Sequence, residues 1–182
     1  FAISLWILAI SVSENPSPLF SIFMLRFWNV VARPENNCVE FLLSRWNSVR
    51  GRLLASGLAN IPKQPPAEGW ISSQSNFPRV GVWLMPDNQL TGMLESFVAL
   101  LIPPDDLLRS KAEAALQDIE QAGLNRYKSI HHPKALIHTW LAWQETPGMP
   151  MGQAITAKAL LHDSPIAESF ISWLKRLFDL PQ

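Results

Sequence analysis

Six consecutive residues, Val80, Gly81, Val82, Trp83, Leu84 and Met85, form an almost wholly apolar run that Pro86 stops. A run this short and apolar is the pattern of a buried strand covered on both faces, so it demands packed layers on either side. Asp87, Asn88 and Gln89 follow as a polar turn. Thr91 then stands as the expected N-cap of a helix carrying Met93, Leu94, Phe97 and Val98. A strand that ends in a polar loop and re-enters as a helix is where α/β proteins bind ligands, outside the carboxyl ends of the strands. Pro86, Asp87, Asn88 and Gln89 are therefore a candidate binding loop, and Asp87 and Glu95 are its nearest acidic residues.

The length, 182 residues, suits one ordinary domain with a core of its own. Lys plus Arg and Asp plus Glu each number 15, so the net charge is zero and general electrostatic capture of nucleic acid is not favoured. The single cysteine, Cys38, excludes an internal disulfide framework and a cysteine-rich metal site. A reducing, cytoplasmic setting is the expectation. The chain begins with Phe1, not Met, which predicts an incomplete N-terminus.

Ahead of residue 43 the sequence is atypical. Phe1 to Val12 and Leu19 to Val31 are apolar, but each is shorter than the roughly 20 residues a membrane-crossing helix needs. A basic leader and a cleavage site are missing, so no stable membrane insertion is expected; buried strands, or an out-of-frame or displaced segment, fit better. From Cys38 to Leu58 apolar residues recur at helical steps, with Arg45, Arg50 and Arg52 read as a solvated basic flank and Gly57 near the C-cap. Pro62 to Gly69 is a proline-rich connector, and Trp70 with Ile71 a short edge strand.

Helices are expected over Thr91 to Ile102, from Asp105 and Asp106 to Gln121 with Gly123 as the stop, from Pro133, over Gln153 to Leu161, and over Pro165 to Phe178. Asp105 and Asp106 could ligate a metal, but the helix dipole alone favours acids in a first turn. Lys134 sits in a first turn where the dipole does not favour a cation, which invites a functional explanation. His131, His132 and His138 lack the four-residue spacing of a helical zinc pair and read as structural or surface groups. Trp140 and Trp143 read as core.

The segments RVGVWLMPDNQLTGMLESF, KALIHTWLAWQETPGMPMGQAITA and FISWLKRLF resemble a bacterial family of unknown function with a TOPRIM-like α/β domain. That family is related to the nuclease domain of the overcoming-lysogenization-defect proteins. Leu43 to Pro62 is similar to the helix and connector that precede the domain's later part, and the resemblance runs to Phe178. It implies a small, mostly parallel sheet flanked by helices, lacking its N-terminal part here, with a helix-rich C-terminal half. It also implies descent from Mg²⁺-dependent nucleic-acid phosphoryl-transfer enzymes, with Glu95 and Lys134 in catalytic positions and Glu95 with Asp87 as metal ligands. The family pattern places a strand glutamate and an Asp-x-Asp pair before the helix at Leu43. This chain has no Asp before Asp87, and only Glu14, Glu35 and Glu40 as acids before Leu43. An inactive, fragmentary or degenerate TOPRIM-like protein is the resulting expectation; the alternative is a non-catalytic module binding a protein or nucleic acid.

Overall fold

The structure is a computed structural model that describes residues 5–12, 21–27, 38–72, 74 and 77–181. Its elements are β1 (Leu5–Val12), β2 (Ser21–Phe27), α1 (Cys38–Ala55), β3 (Trp70–Ile71), β4 (Arg79–Leu84), α2 (Leu94–Ala99), α3 (Leu107–Gln121), α4 (His132–Ala142), α5 (Met151–Thr156) and α6 (Pro165–Phe178). They divide into two compact units, Phe1–Met93 with Ser169–Gln182, and Leu94–Glu168. Glu14 and Glu35 lie outside the described residues.

The first unit holds a four-stranded sheet in the order β2-β1-β4-β3. Leu5 pairs with Phe27 across β1 and β2, Ile7 with Leu84 across β1 and β4, and Trp70 with Val82 across β3 and β4. Every pairing among the described residues is antiparallel, which corrects the expected mostly parallel sheet. Connection length gives the reason for two of the pairings. Residues 13–20 between β1 and β2, and 72–78 between β3 and β4, are too few for the crossover of about a dozen or more residues that a parallel neighbour requires.

β4 is covered on both faces, as its apolar run requires. Period-two alternation sends Val82 and Leu84 into a cluster with Leu42, Trp46 and Val49 of α1 and with Leu58, Ile61 and Trp70. Gly81 and Trp83 face the other way. Trp83 lies 5.3 Å from Phe170 and 5.6 Å from Trp173, ring centre to ring centre. At Gly81 a side chain would begin 2.8 Å from Trp173 Cζ2 and from Leu177 Cδ2, so α6 packs directly on the strand backbone. Trp46 Nε1 donates to the carbonyl of Pro62 at 3.0 Å and pins the proline-rich connector to α1.

The basic flank expected on α1 is only partly solvated. Arg45 is buried, 1% exposed; its Nη1 donates to the carbonyl of Gly92 at 2.8 Å, and its guanidinium stands 5.7 Å from the ring centre of Phe41. Burial pulls its pKa down to about 10. Helical spacing places Arg45 next to Trp46 and one turn from Leu42 and Val49, close enough to the apolar stripe to be drawn in. Arg50 Nε donates to the carbonyl of Ile61 at 3.2 Å, and Arg52 is exposed.

In the second unit α2 is shorter than the expected Thr91 to Ile102 helix, because tighter turns follow it: Leu100 N–H donates to Phe97 O and Leu101 N–H to Val98 O, each at 3.0 Å. Asp106 caps α3, its Oδ1 accepting the Arg109 N–H at 3.0 Å, while its Oδ2 accepts Trp140 Nε1 at 3.1 Å. Both oxygens are thereby committed to structure. Trp140 is fully buried, whereas Trp143, expected in the core, is 43% exposed. No described helix is long and apolar enough to cross a membrane.

Candidate functional site

The cation that sequence reasoning could not justify by the helix dipole has a partner from another helix. Lys134, in the first turn of α4, places Nζ 2.7 Å from Glu95 Oε1 in the first turn of α2. The carboxylate is buried, 2% exposed, while the lysine side chain is 43% exposed. Glu95 Oε2 is buried and has no hydrogen-bond partner among the described residues. A buried carboxylate has its charge offset here by an ammonium that still reaches solvent.

The loop after β4 is constructed differently. Pro86 and Asn88 are buried, Asp87 is half-buried and Gln89 is exposed. Asp87 Oδ1 accepts the N–H groups of Gln89 at 3.0 Å and Leu90 at 2.7 Å, closing an Asx turn. Trp83 Nε1 donates to Pro86 O at 3.0 Å. Asn88 adopts the left-handed conformation, φ 64°; its Oδ1 accepts the Leu84 N–H at 2.7 Å and its Nδ2 donates to Ala67 O at 3.1 Å. These groups terminate β4 and hold the connector beside it. Asn88→Ala removes both side-chain bonds, strands the buried Leu84 N–H and keeps the strained φ, so a loss of about 2–3 kcal/mol is expected in urea unfolding.

Magnesium takes about six oxygen ligands and is commonly held by one or two carboxylates plus phosphate and water. Of Glu95, Oε1 lies on Lys134 and Oε2 is closed to solvent; of Asp87, Oδ1 is spent on two backbone donors. No group of three or more His, Cys, Asp or Glu among the described residues could hold a metal ion.

A second charged cluster, unforeseen in the sequence, joins α3 to α4. His132 Nδ1 lies 2.8 Å from Glu120 Oε1, and Nε2 lies 3.1 Å from Glu113 Oε1. Tyr127 donates to the same Glu120 oxygen at 2.8 Å. Glu113 and Glu120 are seven residues apart, two turns along one helix face, which is the signal that could have found them. The bond to Glu120 raises the His132 pKa, with burial opposing and the Glu113 charge adding to the rise. The same bond, with that from Tyr127, lowers Glu120. Burial first, then the Glu120 bond, pushes Tyr127 up to about 12.

These shifts set a pH window. A raised histidine stabilises the fold fully below its ordinary value of 6.5, and that contribution fades as pH climbs through the folded value. A lowered carboxylate stabilises above its ordinary 4.5 and fails as pH falls through its folded value. Thermal melts should therefore peak between those two values and decline as pH rises above 6.5, and His132→Gln should flatten that decline.

Sequence comparison adds one match. The model of DUF3226, proteins of unknown function, matches residues 38–179, from the start of α1 to just beyond α6. No curated protein and no solved structure matches. The matched region takes in both halves of the Glu95–Lys134 pair, the loop after β4 and the His132 cluster, and the chain belongs to the DUF3226 family.

Proposed function

We propose that this chain is a non-catalytic interaction module of TOPRIM-like descent, in which Lys134, tethered by Glu95, contacts nucleic-acid phosphate without cutting it. The observation that carries this reading is the 2.7 Å pair between a buried carboxylate and a half-exposed lysine. In a magnesium-dependent enzyme of the TOPRIM kind the carboxylate would face the metal. Here its oxygens face a lysine and the protein interior, and the group left in reach of solvent is the ammonium. Held at one end, that ammonium loses less freedom on meeting a phosphate oxygen than an untethered lysine does.

The test combines fluorescence anisotropy with a cleavage assay, using a labelled single-stranded oligonucleotide at low salt with magnesium chloride present. The reading expects salt-sensitive binding, weakened several-fold by Lys134→Met, and an intact strand. Magnesium-dependent cleavage abolished by Glu95→Gln would overturn it in favour of an enzyme. Binding indifferent to salt and to Lys134 would overturn it as well.

A further inference from the structure

A groove of about 560 Å³ opens in the first unit, lined by Ile71 and Ser72 after β3, Arg79 at the start of β4, and Lys175, Arg176, Asp179 and Leu180 at the end of α6. We propose that this groove binds a phosphomonoester, with Asp179 occupying the anion position when ligand is absent. The inference does not depend on Glu95 or Lys134.

Charge selects the ligand class. Three cations line the groove against one carboxylate, which leaves two positive charges in a chain whose net charge is zero. A phosphomonoester carries close to two negative charges at neutral pH, whereas a carboxylate or a phosphodiester carries one. The helix dipole accounts for Lys175 and Arg176 in the last turn of α6. It does not account for Arg79, which a strand brings to the same place.

The cations are also available. The Lys175 ammonium has no hydrogen-bond or ion-pair partner among the described residues. The Arg79 guanidinium pairs with Asp179, whose side chain is 76% exposed, and Arg176 donates to the backbone carbonyl of Glu68. Asp179 reaches Arg79 from a left-handed turn, φ 51°, directly after α6. An exposed ion pair of this kind contributes little to stability, so a dianion can displace the carboxylate at small cost. Ile71 and Leu180, the latter 53% exposed, offer apolar surface beside the cations for the organic part of an ester.

The test titrates inorganic phosphate into the isotope-labelled full chain and follows backbone amide resonances. Millimolar phosphate should shift the amides of Lys175, Arg176, Asp179 and Leu180, with an equal concentration of chloride causing no such change. Lys175→Ala should weaken binding about tenfold, the loss of one charge-assisted hydrogen bond, and Asp179→Asn should tighten it several-fold. Arg79→Lys, which keeps the charge but loses the guanidinium fork, should weaken binding without threatening the fold. Adenosine monophosphate and a strand with a terminal phosphate distinguish the source. The tighter of the two identifies a free metabolite or a nucleic-acid end. Absence of shifts at these residues, or binding that none of the three variants changes, overturns the proposal.

Discussion

Trp173→Ala is expected to cost about 3–5 kcal/mol, the largest single loss predicted for this fold. Trp173 is fully buried. Its ring lies 5.6 Å from Trp83 and 5.7 Å from Phe170, its Nε1 donates to Trp70 O at 3.4 Å, and it covers the backbone at Gly69 and Gly81. Truncation removes the aromatic contacts and leaves an indole-sized cavity that glycine backbone on the opposite wall cannot fill. Since small domains are stable by only about 5–15 kcal/mol, a loss of this size should move the urea midpoint far below that of the parent. Gly81→Ala approaches the same packing from the other side, with a methyl group pressed against Trp173 and Leu177, and should cost about 1–3 kcal/mol. Near wild-type stability in both variants would mean that α6 does not seal β4.

Lys134→Met is the second large effect. Breaking an ion pair buried at both ends costs about 3–5 kcal/mol because one charge is left uncompensated. Here only the Glu95 end is buried, so a loss of about 2–3 kcal/mol is expected from thermal melts. The double variant Glu95→Gln with Lys134→Met should recover a large part of that loss, because no lone charge remains inside. A double variant no better than Lys134→Met alone would show that the lysine stem, not its charge, supports α4.

Much of this architecture is legible in the residues, and the exceptions have physical causes. The run from Val80 to Met85 marks β4, the repeats of apolar residues mark α1 and α6, and Trp70 with Ile71 does form the edge strand. Period, proline and glycine carry those signals locally. Strand direction is not local: the antiparallel sheet follows from which strands become neighbours, a property of the whole fold. Arg45 shows the same limit, since nothing in its heptad tells that the Gly92 carbonyl will accept from it. The candidate pair was half legible. Lys134 stood out because it opposes a helix dipole, but its partner Glu95 is 39 positions away and only packing of α2 beside α4 brings them together. The groove cations were not legible as a group, because Arg79 and Arg176 belong to a strand and a helix far apart in sequence.

The question that matters most is whether Glu95 serves a lysine or a metal. Thermal melts of the full chain and of Glu95→Gln, across a magnesium chloride series at constant ionic strength, address it directly. A ligand that binds the folded state raises stability with the logarithm of its concentration once above the dissociation constant. The account predicts that magnesium moves the two proteins alike, so that their difference in Tm stays constant across the series. A magnesium-dependent rise in the parent that Glu95→Gln abolishes would contradict it and assign Glu95 to a metal.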